Sequence, residues 1–336
     1  MNGSSGKLVR LLADGKLHSG ERLAAALGIT RAAVWKAVAE LRSRGIAVTS
    51  RDRRGYEFER PVELLDLDGL HEAARAAGVA LPRDTELHFE IASTNEYLHA
   101  SEAPAPGAPR LVFAELQTAG RGRRGRAWLA PFGSGLTFSI GWTFAEMPPD
   151  LPALGLAMGV CVVRELRQLG AMEAQIKWPN DIVHAHCKLG GLLLQTRSET
   201  GGPAYVVAGL GLNLRLPETV RDEIARTPSA APVADLEGAC SGAMPARHAV
   251  AARVASAMIA GLERFSMDGF ASFARDWDRF DSLRDAAVTV LRHDGPLDGI
   301  ARGTDAEGAL RVELPGGSIE RIHAGDVSLR RGGSAR

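Results

Sequence analysis

Apolar residues recur at helical spacing three times near the start of the chain, over Lys7–Ala13, Gly20–Leu27 and Thr30–Arg44, and Thr30 supplies a hydroxyl able to cap the third run. Two short extended runs follow, Ile46–Ser50 and Gly55–Phe58, joined by the basic turn RDRR. Three helices and a hairpin in that order predict a winged helix-turn-helix head. Pro61 and the stretch LLDLDG then read as a linker. From Glu86 the pattern turns strand-like, at Glu86–Ile91, Leu111–Gln117, Gly135–Trp142, Ala174–Trp178, Leu189–Thr196 and Ala204–Leu212. One mixed sheet would hold these strands. A helix near Leu151–Leu169 and two later ones, Ala246–Phe265 and Gly269–Phe280, would cover it; Val250, Val254, Met258, Leu262 and Phe265 mark the packing face of the first later helix. From Ala286 to Arg330 short strands alternate with the turns HDGP, TDAEGA and PGGS, the pattern of a small β-barrel. The expected class is α+β, with a head over 1–62, a central domain over 63–283 and a small domain over 284–336.

Charge adds one feature to this picture. Lys plus Arg and Asp plus Glu are both 40 in the 336 residues, so the whole chain favours no partner by charge. Residues 1–60, however, hold 12 Lys and Arg against 6 Asp and Glu, an excess of +6 that leaves −6 elsewhere. A basic head fits nucleic-acid binding, and equally a solvated basic face. Cys161, Cys187 and Cys240 match no metal or redox spacing and read as free thiols in a reducing compartment. The longest apolar stretch, Leu151–Val163, falls short of the roughly 20 residues that span a bilayer. The opening MNGSSGKLVRLL lacks the apolar core of a secretory signal, so the expected location is cytoplasmic, with no membrane partner.

The strongest chemical signal is GRGRRGR, Gly120 to Arg126, directly after a strand ending at Gln117. Glycines let its backbone turn tightly and approach a ligand, and four arginines surround that ligand with fixed positive charge. Such a loop suits anions, whether a phosphate, a nucleic acid or none in a disordered basic segment. Ser93, Thr94 and Asn95 stand at a helix start, where capping alone would explain them. KWPND and KLGG follow in strand-and-turn settings. His184, His186 and Cys187 superficially suggest a metal site, but HAHC reads as a surface turn without further ligands at sensible spacing. No G-x-S-x-G nucleophile motif with suitable partners is present.

Taken in order, ASTNEYL, GRGRRGR followed by AW, KWPND, KLGGLL and GLGLN resemble the biotin–protein ligases, and the winged-helix head matches the subgroup that also represses biotin-synthesis genes. The resemblance covers nearly the whole chain. It implies a class II synthetase-like central sheet, a C-terminal SH3-like barrel, and a reaction in which ATP activates biotin as its adenylate before a carrier-protein lysine takes it. Mg²⁺ would accompany ATP. The partners it implies are the biotin carboxyl carrier protein of acetyl-CoA carboxylase or a similar carboxylase, operator DNA, and a second copy of the chain once adenylate is bound.

Residue by residue, the resemblance assigns Ser93, Thr94, Asn95 and Gln117 to biotin's ureido ring, and Gly120, Arg121, Gly122 and Arg123 to the junction of its carboxylate with the α-phosphate. Lys188 is the expected key cation, with Arg123 beside it, and Gly209 permits close approach to biotin. Arg121, Arg123, Arg126, Trp128, Asn180, Lys188 and Asn213 are expected around ATP, Trp128 as the platform for adenine; core packing is the alternative for that ring. Asp181 is either an Mg²⁺-linked carboxylate or a turn acceptor. In the head, Thr30, Arg31, Ala32 and Lys36 would face a major groove, and wing residues Arg51, Arg53 and Arg54 the phosphates. Trp35 belongs either to the head's core or to that face. A lipoate-attaching ligase and a biotin-sensing regulator without ligase activity are the rival readings; the Gly/Arg loop and head oppose the first, and Lys188 with Arg123 the second.

Overall fold

The computed structural model describes residues 3–51, 54–198, 202–226, 231–292, 295–323 and 328–331. The head consists of α1 (Gly3–Leu12), α2 (Gly20–Leu27) and α3 (Arg31–Ser43), then a hairpin of β1 (Thr49–Arg51) and β2 (Gly55–Glu57). Its helix ends follow from local chemistry. The Ser19 side chain accepts the Arg22 N–H to open α2, Gly28 closes it at a left-handed φ of 65°, and Thr30 accepts the Ala33 N–H to open α3. Val34, Ala37, Val38 and Leu41 form the buried stripe of α3 and close a core of their own with Leu8, Leu12 and Leu23. Arg53 lies outside the described residues.

Seven strands build the central sheet: β3 (Thr85–Ile91), β4 (Arg110–Gln117), β5 (Gly135–Phe144), β6 (Gln175–Lys177), β7 (Asp181–His184), β8 (Cys187–Ser198) and β9 (Ala204–Asn213). Their spatial order is β3-β4-β5-β9-β8-β7-β6, with β3 and β4 parallel and every other neighbour antiparallel. The mixed sheet is therefore as expected, with β7 an addition hidden within KWPND and HAHC. Alternation along β5 separates its faces. Leu136, Phe138, Ile140, Trp142 and Phe144 join the main core, while Thr137, Ser139, Gly141 and Thr143 turn to the other side. Helix α5 (Thr94–Ala100) lies across the sheet with its own small cluster of Leu98, Val112, Tyr205 and Val207.

The long helices α6 (Leu154–Gln168) and α9 (Arg247–Asp268) pack on each other, and α9 reaches β5. The stripe Val250, Val254, Met258, Leu262 and Phe265 is buried, as its spacing predicts. The stretch expected to be a linker is structured. Asp66 accepts the Gly69 N–H to cap α4 (Leu67–Ala76), whose Leu70 and Ala74 are buried as it packs on α9. A buried ion pair fixes that approach: Arg247 Nη1 reaches both Glu115 carboxylate oxygens at 2.8 and 2.7 Å, and the Leu65 N–H donates to Glu115 Oε1 at 2.6 Å. The run expected as one helix over Gly269–Phe280 divides into a short 3₁₀ turn, Phe270–Ser272, and α10 (Ala274–Phe280), because Gly269 turns the chain at φ 60°.

Five antiparallel strands form the C-terminal barrel: β10 (Ala287–Arg292), β11 (Gly295–Thr304), β12 (Leu310–Glu313), β13 (Ile319–Ile322) and β14 (Ser328–Arg331), in the order β13-β12-β11-β10-β14. Val288, Val290, Leu310 and Val312 continue the central core. The Trp178 indole N–H donates to Gly308 O at 3.1 Å, tying the barrel to the strand end beside the site. No described helix is long and apolar enough to cross a membrane.

Candidate active site

One cavity of about 690 Å³ opens on the α5 side of the sheet, and the residues singled out from ASTNEYL, the Gly/Arg loop, KWPND, KLGG and GLGLN converge on it. Its polar end is built where β3 turns into α5. Thr94 N–H donates to Gln117 Oε1 at 2.8 Å, the Thr94 and Ser139 hydroxyls meet at 2.7 Å, and Ser139 Oγ–H donates to Asn95 Oδ1 at 2.6 Å. Ser93 caps α5 and also lines the cavity. Ser139, Thr94 and Asn95 are all buried, and such groups must be paired or forfeit solvation.

Glycine supplies the floor. A β-carbon on Gly209 would lie 2.8 Å from Asn95 Cγ, and one on Gly211 would lie 2.6 and 2.7 Å from Nε1 and Cζ2 of Trp128. Any side chain at either position would therefore displace a wall of the site. Trp128 covers Gly211, and the Lys188 ammonium sits 5.8 Å from the centre of its ring. The tryptophan is half-buried, lines the cavity and stands outside the buried core.

The arginine loop closes on itself. Trp128 N–H donates to Gly120 O at 2.9 Å, Gly122 N–H donates to Arg126 O at 2.7 Å, and the turn between uses left-handed backbone at Arg124 and Gly125. Gly120 is needed where the loop ends meet: a β-carbon there would lie 2.6 Å from Trp128 O. Arg121, Gly122, Arg123, Arg124 and Arg126 line the cavity, but Gly120 does not. Burial first, then the neighbouring Arg124 and Arg126, pull the Arg123 guanidinium below the ordinary arginine range, with Asp181 opposing. Crowded, partly desolvated cations of this kind favour an incoming anion. Arg123 Nη1 donates to Asn180 Oδ1 at 3.3 Å, and Asn180 Nδ2 to Leu192 O at 2.7 Å.

Lys188 lies one residue into β8, with Nζ 2.6 Å from Asp181 Oδ1 and both side chains a little over a quarter exposed. Asp181 thus serves the lysine directly, and among the described residues no group of three His, Cys, Asp or Glu is placed to hold a metal ion. HAHC is the tight turn between β7 and β8, with left-handed backbone at Ala185 and His186. Asn213 does not line the cavity. Its amide donates to Lys188 O at 3.3 Å and Ala234 O at 3.0 Å, so it braces the lysine's strand from behind. The segment 231–246 takes part there: Lys188 N–H donates to Pro232 O at 2.6 Å, and Ala231 and Pro232 line the cavity. Residues 227–230 lie outside the described set.

Ser139, Gln195 and Glu96 are the polar groups that motif reading passed over. Ser139 had a visible signal in the small and polar alternate positions of β5. Gln195 had none, since nothing in β8 distinguishes it from an exposed strand residue.

On the head, Arg31, Ala32, Trp35 and Lys36 form one exposed face at the start of α3; Trp35 is 62% exposed and so belongs to that face, not to the core. Thr30 is held as the helix cap. Arg31 meets Glu21 at 3.1 Å across open solvent, a pairing weak enough to yield to a phosphate. Arg54 is exposed at the hairpin turn, and Arg51 pairs with Glu57 at 2.6 Å.

Known proteins resolve what this combination is. A helix-turn-helix domain model matches residues 6–57, the biotin/lipoate A/B protein ligase family model residues 89–213, and the biotin protein ligase C-terminal domain model residues 286–330. The bifunctional ligase/repressor BirA of Salmonella typhimurium is 36% identical over 324 residues, and that of Escherichia coli 35% over 330, each alignment covering 96% of both chains. The chain belongs to the bifunctional biotin–protein ligase family. Biotin protein ligase from Aquifex aeolicus, in a structure titled as its complex with biotin and ATP, matches this ligase with a TM-score of 0.60 and 25% identity, over 74% of this chain and all of that one.

Proposed function

We propose that this protein makes biotinyl-5′-AMP from biotin and ATP, transfers biotin to a lysine of a biotin carboxyl carrier protein, and acts through its head as a biotin-responsive repressor. The observation that carries the reading is a single cavity with a neutral, hydrogen-bonding end at Thr94 and Gln117 and a cationic end at Arg123 and Lys188 beside Trp128. Biotin adenylate has the same polarity: a urea ring at one end, an acyl phosphate and a purine at the other. Gln117 Oε1 is engaged by Thr94, which turns its amide N–H group toward other acceptors such as a ureido carbonyl. Pairing demands of this kind select against rings without the urea group.

In the first step a biotin carboxylate oxygen attacks the α-phosphorus; an O–P bond forms and the bond to pyrophosphate breaks. Lys188 is the group proposed to leave Asp181 for the carboxylate and then the α-phosphate, an interaction that strengthens as charge gathers there. Arg121 and Arg123 hold the same junction, and Gly122 lets the loop approach it. Trp128 takes the adenine, with Arg126 and Asn180 at the nucleotide's edge. In the second step the acceptor lysine's neutral amine attacks the acyl carbon, AMP leaves, and the surplus amine proton is lost. No enzyme nucleophile is needed, so the protein contributes orientation and charge. Magnesium would come with the phosphates of ATP and neutralise their charge; Asp181, the one carboxylate lining the cavity among the described residues, would hold it, a lone carboxylate suiting an ion that keeps most of its waters.

We assign the head to 1–62, the ligase domain to 63–283 and the barrel to 284–336. Adenylate binding is proposed to favour a homodimer whose two heads span paired half-sites; linkage then requires DNA to favour the adenylate-bound dimer. The deciding experiment combines the protein with ATP, Mg²⁺, biotin and a carrier domain and weighs the carrier by mass spectrometry. A biotin-sized increment on one lysine is expected. An unmodified carrier together with no pyrophosphate release overturns the ligase reading, and a lipoyl increment with lipoate favours its rival.

A further inference from the structure

The polar end of the cavity does not stop at Asn95. Asn95 Nδ2 donates to Leu193 O at 3.2 Å and to Gln195 Oε1 at 3.0 Å; Gln195 Nε2 donates to Glu96 Oε1 at 2.9 Å; and the same Glu96 oxygen receives Arg121 Nη1 at 3.0 Å. Together with Gln117, Thr94 and Ser139, this makes one run of hydrogen bonds from the ring-binding end of the site to the arginine loop. Its polarity is forced. Ser139 spends its only proton on Asn95 Oδ1, so Thr94 is the donor at their 2.7 Å contact, its single proton being shared with Gln117 Oε1 at 3.2 Å. Leu193 O and Gln195 Oε1 can only accept, which fixes the Asn95 amide with nitrogen toward β8. A Glu96 carboxylate can only accept, which fixes the Gln195 amide with nitrogen toward α5. Reversing the Gln195 amide sets oxygen against Glu96 and nitrogen against nitrogen at Asn95, and reversing the Asn95 amide sets its oxygen against both Leu193 O and Gln195 Oε1.

We propose that Gln195 and Glu96 are positioning residues of the ligase site, locking the Asn95 amide for the ring of biotin and holding Arg121 at the mouth of the same cavity. The proposal rests on the ligase reading given above and adds two residues to it. Neither acts on the substrate itself. Gln195 acts through Asn95, and Glu96 through Gln195 and Arg121. One carboxylate oxygen serves both Gln195 and Arg121, but the Arg121–Glu96 pair is 57% and 37% exposed and therefore weak, so disturbing it moves the arginine end of the site far less than the buried ring end. Burial makes the arrangement costly to abandon: Thr94, Asn95 and Ser139 have almost no access to water that could replace a lost partner.

The test uses the full chain, with pyrophosphate release measured while biotin and ATP are varied separately. Gln195→Glu leaves Asn95 an acceptor but sets two carboxylates face to face and removes the donor to Glu96. The biotin KM is expected to rise about tenfold, with kcat and the ATP KM within about twofold of the parent. Exchanging the pair, Glu96→Gln with Gln195→Glu, restores a donor between the two positions; the oxygen that received both Gln195 and Arg121 is then an amide nitrogen, so the exchange gives up the exposed Arg121 contact. It is expected to bring the biotin KM back to within about threefold of the parent. A merely structural role predicts instead a lowered melting temperature, a general loss of kcat and no recovery on exchange. An unchanged biotin KM in Gln195→Glu, or an exchange variant no better than the single one, overturns the proposal while leaving the ligase reading intact. A parent protein that makes no biotinyl-AMP removes both.

Discussion

Replacing Gly209 with alanine tests the floor of the site with a single methyl group. Its carbon would stand 2.8 Å from Asn95 Cγ, where ordinary contact begins at 3.4 Å, so the amide carbon must retreat by 0.6 Å and the nearer amide oxygen by more. Asn95 has little room for this. Its oxygen is held by Ser139 at 2.6 Å, its nitrogen by Leu193 O and Gln195 at 3.2 and 3.0 Å, and β5 and β8 close the other sides. The open direction is the cavity itself, where the amide would occupy ligand space. The three internal hydrogen bonds are lost with or without ligand, so their cost of about 3 kcal/mol appears as lower stability; binding loses the Asn95 contact to the ring, about 2 kcal/mol or roughly a thirtyfold rise in the biotin KM. The ATP KM should move much less, since Trp128 and Gly211 form a neighbouring part of the floor. Steady-state pyrophosphate release with each substrate varied reads both values. The decisive control is Asn95→Ala in both backgrounds: once the amide is gone, the added methyl should cost almost nothing, so the two substitutions should be strongly non-additive. Simple additivity, or an unchanged biotin KM in Gly209→Ala, would refute the reasoning.

Three further outcomes are expected. Lys188→Ala should reduce pyrophosphate release by at least about a hundredfold, and because its pair with Asp181 is partly exposed the melting temperature should hardly move; release near the parent rate removes the lysine from the chemistry. Asp281, 6% exposed, has its carboxyl pushed up to about 6 by burial, with one oxygen unpartnered. Its folded pKa lies above the usual 3.8, so stability falls as pH rises from about 4 to 6 and stays low above. Asp281→Asn should therefore raise denaturant stability at pH 8 by about 2–3 kcal/mol and leave it unchanged near pH 3; an equal gain at both ends would sink the argument. On the head, Lys36→Ala should weaken operator binding and flatten its salt dependence by roughly one unit if the lysine meets a phosphate. An unchanged slope in fluorescence anisotropy titrations would place it off the DNA.

Much of this protein was determined by sequence alone, because the deciding signals are local or repeat with a short period. Thr30 and Ser19 cap helices wherever the following amides are unpaired, the stripe from Val250 to Phe265 needs only the helical period, and the alternating side chains of β5 declare two faces. The Gly/Arg loop likewise declares a basic, tightly turning segment before its fold is known. Tertiary structure decided what depends on partners far away in the chain. The end of LLDLDG opens a helix because α9 covers Leu70 and Ala74, a contact across nearly two hundred residues that no local pattern carries. Asp181 was assigned between a metal and a turn until Lys188 came within 2.6 Å of it, and Asn213 until its amide was seen to brace the lysine's strand. Gln195 became legible only when β8 set it between Asn95 and Glu96. A charge or amide takes its role from the group that faces it, and in a seven-stranded mixed sheet that group is chosen by strand order, which the sequence encodes only through the fold.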